Sequence, residues 1–405
     1  MADLKRWFPK AGLSAVAVLL SFAPGLFAGI KKAALPAAQR ALPARDLYVS
    51  ERTDLSALSP AVVTSGTKCD AAGDIYALYS GSAAVLSLPG STSRVPVSKI
   101  SIQTKEVTQY PLPALSGYGN LFRFSYDVDA DGTLYALINA ARQRPQGKPK
   151  PAWLIVKYNG DGTVDSHFRV GNEPGKQLQP LRIAVFGDGD FLLSGTTVLT
   201  KGLGTFSGIF DRQGTFTTPL KFGEAILRTN EPPGGAGTGA RAAKKAGASA
   251  GKRREVSGPG TADGSPISLE SSTLSFSSQD GNVYVLQGTS AATLYVVAPT
   301  GEILRRFNLK PPKPGMTPLQ MAAAGVGYLF IYYGRVATGA PGEDIHERGI
   351  IAVLSSETGR VTAVYRMPEA KVGFVVPACA DSPDDFLFLG TSKDNHLEVV
   401  RYAAR

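Results

Sequence analysis

Histidine and cysteine are scarce in this chain, which has three His and two Cys among its 405 residues. Three imidazoles leave little material for a metal centre built from several histidines. The sequence also lacks a Cys-x-x-Cys pair, a glycine-rich phosphate loop and the spacing of a Ser-His-Asp triad. These absences argue against the commonest redox, phosphoryl-transfer and acyl-transfer sites.

Turn-forming and strand-forming residues are abundant by contrast. The chain has 45 Gly and 28 Pro, together with 15 Tyr and 18 Phe, and 43% of its residues are hydrophobic. This composition favours many short strands joined by turns around a packed core. The formal net charge of +10 directs the search for partners toward anions.

The N-terminus has the features of an export signal. Lys5, Arg6 and Lys10 precede an uncharged, mostly apolar run that ends at Lys31. Residues 1–30 are therefore predicted to be a signal peptide or, alternatively, an uncleaved membrane anchor that adds membrane contact. Residues 31–45, rich in Ala and Pro, are predicted to be a linker. Both alternatives place the folded part outside the cytoplasm, in the periplasm or the extracellular space.

A short pattern recurs six times from residue 70 onward. The clearest copy is "DADGTLYAL", and the aligned aromatic or aliphatic positions are Tyr76, Tyr135, Leu192, Tyr284, Phe330 and Leu387. A second alternating hairpin follows each of the first five copies, as in "WLIVKYNGDGTVDSHFRV". Units of four strands repeated in this way predict an all-β, six-bladed β-propeller over residues 46–405.

The two ends of the chain are predicted to meet in the last blade. The sixth unit stops at Arg405 after its third strand, whereas a spare strand, "DLYVSE", begins at Asp46. Pairing that N-terminal strand with residues 397–402 completes the last blade and covers an edge that would otherwise expose unpaired backbone groups.

The order of strand, Asp-x-Asp-Gly-x-x-Tyr turn, strand and hairpin resembles the NHL-type six-bladed propellers. Gluconolactonase-like and streptogramin-lyase-like proteins share that architecture. The resemblance implies the fold over residues 46–405 and leaves the function open, because the shared motif is a turn.

The two cysteines suit a closed ring. Cys69 and Cys379 precede the first and sixth turn motifs by similar offsets, and the first and last blades of a ring are neighbours. An oxidising compartment would permit a disulfide between them. The alternative is a pair of buried free thiols.

Calcium is the one cofactor that the turn pattern suggests. Asp127, Asp129 and Asp131 alternate before Gly132, as at the start of a calcium loop. The position of the bidentate Glu in such a loop is held by Ile138, and the sister copies keep the turn without the acids. A structural hairpin is therefore the preferred interpretation, with a weak calcium site as the alternative and no other cofactor expected.

Basic residues are concentrated in the connections that are expected to share one face. The segment 229–264, between the third and fourth blades, is predicted to be a disordered basic insertion. The candidate ligand-binding residues, near the channel mouth or in these connections, are Arg123, Arg182, Asn139, Arg142 and Arg335.

The sequence thus favours an exported, non-catalytic binding or scaffolding module for an anionic partner. That partner is an acidic protein, a glycan or a lipid head group, because export disfavours nucleic acid. The alternative function is a metal-dependent hydrolase or lyase, as the gluconolactonase-like and streptogramin-lyase-like resemblance implies.

Overall fold

The structure, a computed structural model, describes residues 42–55, 62–79, 93–144, 147–173, 175–199, 202–220, 274–278, 280–288, 292–334, 349–368, 376–392, 394 and 396–405. All the regular elements in these ranges are β-strands. The predicted signal or anchor at 1–30, the predicted insertion at 229–264 and Arg335 lie outside them. Within them, no helix is long and apolar enough to cross a membrane. The first strand, β1 (Arg45–Leu55), begins at the last residue of the predicted linker.

Sixteen of the strands form four separate antiparallel sheets of four strands each, in chain order. The first sheet contains β2 (Val62–Cys69), β3 (Ile75–Tyr79), β4 (Val97–Ile100) and β5 (Val107–Tyr110). The second contains β6 (Tyr118–Val128), β7 (Leu134–Arg142), β8 (Lys150–Tyr158) and β9 (Val164–Arg169). The third contains β10 (Gln177–Val185), β11 (Phe191–Leu199), β12 (Gly202–Phe210) and β13 (Phe216–Pro219). The fourth contains β14 (Leu274–Ser277), β15 (Val283–Gln287), β16 (Ala292–Val297) and β17 (Ile303–Leu309).

The remaining strands form one eight-stranded sheet. Its members after β1 are β18 (Thr317–Ala323), β19 (Tyr328–Gly334), β20 (Ile350–Ser355), β21 (Val361–Arg366), β22 (Val376–Ser382), β23 (Asp385–Thr391) and β24 (Leu397–Ala404). Their spatial order is β18-β19-β20-β21-β1-β24-β23-β22. Strand β1 runs antiparallel to β24, from Leu47 opposite Ala404 to Leu55 opposite Leu397, so the predicted pairing of the two chain ends is confirmed. It touches β21 only through a short parallel pairing at Arg45 and Asp46.

The sheets pack face to face in chain order, which explains the hydrophobic pattern of their strands. The second and third strands are buried on both sides, so β7 and β8 have nearly continuous apolar runs, whereas the outermost β9 alternates between half-buried and exposed residues. One apolar cluster joins the first and second sheets around Tyr76 and Tyr126, and another returns from β22–β24 to the first sheet. This arrangement of sheets is β-propeller-like.

A disulfide between Cys69 of β2 and Cys379 of β22 also links the start and end of the fold. Their Cα atoms lie 5.9 Å apart, and the bond spans a sequence separation of 310 residues. A crosslink across so long a stretch of chain restricts the unfolded state strongly, and such bonds typically stabilise a protein by about 2–5 kcal/mol.

We expect the double substitution Cys69→Ser and Cys379→Ser to lower the free energy of unfolding by about 2–5 kcal/mol, because the crosslink no longer restricts the unfolded chain. Urea unfolding followed by tyrosine fluorescence measures this loss. Reductant should produce a similar loss in the unsubstituted protein and none in the variant. Equal stability of the two proteins under oxidising conditions would contradict the prediction.

Candidate functional site

The sheets present two faces at right angles to the axis around which they are arranged. The turn face carries the hairpins that join first to second and third to fourth strands. The loop face carries the connections from second to third strands and from one sheet to the next. Direct contacts bring the turns of neighbouring sheets together: the N–H of Ala71 donates to the carbonyl of Ala130, and the N–H of Gly187 donates to that of Gly281.

The aspartate of the turn motif accepts hydrogen bonds that stabilise the turn. Asp70 Oδ1 accepts hydrogen bonds from the N–H groups of Ala72 and Asp74, each at 3.0 Å. The Tyr76 hydroxyl lies 3.1 Å from Asp70 Oδ2 and donates to the carbonyl oxygen of Gly132, in the next sheet, at 2.8 Å. Burial, followed by the charge of Asp70, raises the pKa of Tyr76, so the phenol remains protonated and holds the two turns together.

Two other copies of the turn use a carboxylate in a similar way. In the fourth sheet Asp280 accepts a hydrogen bond from the N–H of Asn282 and from the hydroxyl of Tyr284, at 3.0 and 2.8 Å. In the second sheet Asp129 accepts from the N–H groups of Asp131 and Thr133. Burial and the neighbouring Asp129 raise the pKa of Tyr135 to about 12.

The three aspartates of the calcium alternative point to different surroundings. Asp127 is fully buried and pairs with Lys68, whereas Asp129 caps the turn and Asp131 is exposed. Within the described ranges, no three His, Cys, Asp or Glu residues are grouped so that they could hold a metal ion. The structure therefore separates the carboxylates that the sequence places in one loop.

An axial cavity of about 300 Å³ opens at the turn face, between the ends of β2, β6, β18 and β22. Small or apolar residues make up much of its wall, and Lys68, Asp70, Asp127 and Asp381 supply its charges. The small and apolar lining residues are Ala71, Ala72, Gly73, Val128, Ala130, Met321, Ala322, Ala323, Gly325 and Ala380. The disulfide also lines it. A hydrogen bond from Gln320 Nε2 to the carbonyl of Thr67, at 2.7 Å, ties β18 to β2 nearby.

The charged groups of this cavity are bonded to partners within the protein. Lys68 Nζ lies 3.0 Å from Asp127 Oδ1, and Asp127 Oδ2 accepts a hydrogen bond from the N–H of Val185 at 2.9 Å. Asp381 pairs with Arg401. The Lys68–Asp127 pair joins the first and second sheets, and Asp127 extends the link to the third.

The Lys68–Asp127 pair could have been predicted by aligning the repeats, although no sequence motif indicates it. Lys68 and Asp127 occupy the same place in their repeats, counted back from Tyr76 and Tyr135. The other four repeats have Ala184, Phe276, Ala322 and Cys379 there. Opposite charges at one repeat position in adjacent copies are the expected mark of an ion pair between neighbouring innermost strands.

The candidate ligand-binding residues have different environments. Arg123 is only 5% exposed, and its guanidinium donates to the carbonyl of Val95, which precedes β4 of the first sheet. Burial lowers the pKa of Arg123 and of the half-buried Arg182. Asn139 is half-buried, with its amide 3.5 Å from the carbonyl of Ala152, and Arg142 is exposed. Of the described candidates, Arg142 is thus the most accessible to a partner, and Arg123 is chiefly a contact between sheets.

Charge is distributed unequally between the two faces. The exposed basic residues at the loop face, within the described ranges, are Arg94, Arg142, Arg144, Lys148, Lys150, Lys176, Lys310 and Lys313. Its acidic residues there are Asp54, Glu173 and Asp394, and Glu173 pairs with Lys176 at 2.7 Å. The turn face has many exposed acids, among them Asp131, Asp161, Asp188, Asp280, Asp381, Asp384, Glu302 and Glu357, with Lys105, Arg212 and Arg360 between them.

The fold and these surfaces define an all-β protein of β-propeller-like architecture. No protein-family model and no curated protein matches the chain. Solved structures similar to it include a protein of unknown function from Dyadobacter fermentans, with a TM-score of 0.44 and 11% identity over 89% of this chain and 99% of that chain. A luciferin-regenerating enzyme has a TM-score of 0.43 and 12% identity over 87% and 95%. A Hadza microbial sialidase has a TM-score of 0.46 and 10% identity over 87% and 68%.

Removing one partner of the axial ion pair should destabilise the protein more than removing both. We expect Lys68→Met to lower the free energy of unfolding by about 3–5 kcal/mol, because it leaves the buried Asp127 carboxylate without its cation. The double variant Lys68→Met, Asp127→Leu should recover part of that loss, although the N–H of Val185 then loses its acceptor. Chemical unfolding of the two single variants and the double variant gives the coupling energy. Additive losses would contradict the assignment.

Proposed function

We propose that the chain is a six-bladed β-propeller in which β1 is the fourth strand of the last blade. The eight-stranded sheet then consists of two blades, β18–β21 and β22–β24 with β1, joined by the short β1–β21 pairing. The contacts between first strands support this division, because they run in the closed order β2, β6, β10, β14, β18, β22 and back to β2. We also propose a relationship to the NHL-type propellers, which is supported by the turn motif alone.

We further propose that the protein is exported. The charged and apolar pattern of residues 1–30 supports a signal peptide or an anchor. The Cys69–Cys379 disulfide is compatible with an oxidising compartment such as the periplasm or the extracellular space.

In this proposal the protein is a non-catalytic binding or scaffolding module whose loop face takes an anionic partner. The observation that carries the proposal is the excess of exposed lysine and arginine on that face over its few acids. Such a patch raises the local concentration of anions and accelerates their encounter. An acidic protein, a glycan or a lipid head group presents the required charge outside the cytoplasm, where nucleic acid is not the expected ligand.

The axial cavity also favours a binding module over the alternative of a metal-dependent hydrolase or lyase. Asp70 is engaged by the N–H groups of its turn, Asp127 by Lys68 and Val185, and Asp381 by Arg401. These carboxylates do not form the converging oxygen set that a divalent ion requires, so the donor set does not fit a catalytic metal.

Neutralising the loop that joins β7 to β8 should weaken the binding of a polyanion. We expect a variant with Arg142, Arg144, Lys148 and Lys150 all replaced by Ala to elute from immobilised heparin at clearly lower salt than the unsubstituted full chain. The reason is that screening by salt competes with fewer protein charges.

The matched control removes the same number of positive charges elsewhere, by replacing Lys105, Arg306, Arg360 and Arg405 with Ala. Its net charge equals that of the loop variant, so it should elute close to the unsubstituted protein if the loop face is the binding surface. Equal shifts in the two variants would mean that heparin senses only net charge, and the assignment of the loop face would be wrong.

Metal analysis separates the binding module from the enzymatic alternative. We expect the purified full chain to contain no stoichiometric divalent ion and a chelator to leave the melting temperature unchanged, because a ligand of the folded state alone would stabilise it. A bound ion whose removal lowers the melting temperature would favour the metal-dependent hydrolase or lyase and justify a screen of lactones.

A further inference from the structure

A second cavity, separate from the axial one, lies between the second and third sheets at the turn face. Its volume of about 430 Å³ falls in the range of about 300–1,000 Å³ that is typical of small-molecule sites. The residues that matter for its chemistry are Tyr135, Lys157, Ser166 and Phe168 from the second sheet and Asp188 and Arg212 from the third. We call this cavity the inter-sheet groove.

The groove exists because the turns of the second and third sheets are farther apart than those of the first and second sheets. Between the first and second sheets, a Cβ added to Gly132 would lie 2.9 Å from the Tyr76 hydroxyl oxygen, so no space remains. Gly189 holds the same place in the third sheet, and a Cβ added there would meet only carbon and nitrogen atoms of the Arg212 side chain within 4 Å, the nearest at 3.5 Å. Tyr135, the counterpart of Tyr76, therefore does not close on the next turn as Tyr76 does.

Two sequence differences between the first and second sheets give the equivalent lysines, Lys99 and Lys157, different carboxylate partners. In the first sheet Lys99 lies opposite Tyr76 in the strand pairing and extends to Asp74 of the turn, at 2.7 Å. In the second sheet the corresponding Lys157 lies opposite Tyr135, but Thr133 stands where the first sheet has Asp74.

Lys157 instead pairs with Asp165 on the outermost strand, at 3.0 Å, where a register shift inserts a residue that the first sheet lacks. Lys157 lines the groove together with Ser166, the residue opposite it on that strand. Arg212 approaches from the opposite wall, with its aliphatic stem across Gly189 and its charge close enough to lower the pKa of Tyr135 against the larger effect of burial.

We propose that the inter-sheet groove binds a saccharide unit. Sugar hydroxyls both donate and accept hydrogen bonds, so they need mixed partners without a large net charge. Lys157 and Arg212 supply donors, and Asp188 supplies an acceptor. The Ser166 hydroxyl donates to Asp165 at 3.3 Å and presents its oxygen as a further acceptor. The half-buried ring of Phe168 offers an apolar face to the C–H groups of a sugar ring. This site is on the face opposite to the one proposed for the anionic partner and does not depend on it.

The test gives Lys157 the carboxylate partner in the turn that Lys99 has in the first sheet. The double substitution Thr133→Asp and Asp165→Val should redirect Lys157 to the turn without removing any donor of the groove. Because the first sheet is stable with this arrangement, the melting temperature should change little. Saturation-transfer NMR of the full chain with the methyl glycosides of glucose, galactose and N-acetylglucosamine should detect binding of at least one probe, weakened about tenfold in the variant.

A second variant fills the groove directly. Ser166→Trp should abolish the saturation signal by occupying the space in front of Phe168. Its matched control is Leu304→Trp, on the outermost strand of the fourth sheet, where Leu304 is 43% exposed and does not line the groove. The control should bind like the unsubstituted protein.

Absence of a saturation signal from all three glycosides would overturn the proposal. A signal that survives both Ser166→Trp and the Thr133, Asp165 double substitution would place any sugar binding elsewhere and would overturn it equally.

Discussion

The pairing of β1 with β24 is the constraint on which the rest of the arrangement depends. Every other sheet is completed by strands that follow one another in the chain, whereas this one joins the first described strand to the last. Without β1, the backbone groups along β24 would be exposed as an open edge. Leu47 and Leu55, near the two ends of β1, are almost fully buried, so apolar burial fixes the register at both ends of the pairing.

This closure is compatible with the great separation of its strands in sequence. The entropy cost of closing a loop grows only with the logarithm of its length, so joining the two ends of the chain costs little more than joining neighbouring sheets. The Cys69–Cys379 bond and the apolar cluster between the last strands and the first sheet act at the same junction. Three kinds of interaction thus oppose separation of the ends.

The all-β, β-propeller-like architecture could be predicted from the sequence because its signals are local. Asp70 and Gly132 mark hairpin turns whose geometry depends on a few adjacent residues, and the alternation around them identifies the strands. The pairing of the chain ends could be predicted as well, because it follows from a missing strand in the last repeat. Such features need no knowledge of how the sheets are placed relative to one another.

The sites were much harder to predict, since they depend on the spacing between sheets. Arg123 has the charge and the sequence position expected of a ligand-binding residue at the channel mouth. Its guanidinium is nevertheless buried and donates to the carbonyl of Val95, just before β4. The three aspartates of the calcium alternative look like one loop in sequence, but Asp127 lies within β6 and is buried, whereas Asp131 lies in the turn after the strand and is exposed. Only a comparison of equivalent positions between repeats would have found Lys68 and Asp127.

The divergence of the repeats also explains how one architecture can carry different surfaces. The first and second sheets share the same turn, the same tyrosine and the same lysine. Thr133 replaces Asp74, however, and the second sheet adds Asp165 at a register shift, so the lysine pairs with a different carboxylate. Both lysines keep a carboxylate partner. Ion pairs at partly exposed positions contribute little to stability, so they can be rearranged between repeats at little cost to the fold. The turn aspartates of the first and second sheets each accept hydrogen bonds from two backbone N–H groups, so they are more costly to replace. Function in this protein is therefore expected where the repeats differ in their side-chain partners, and structure where they agree.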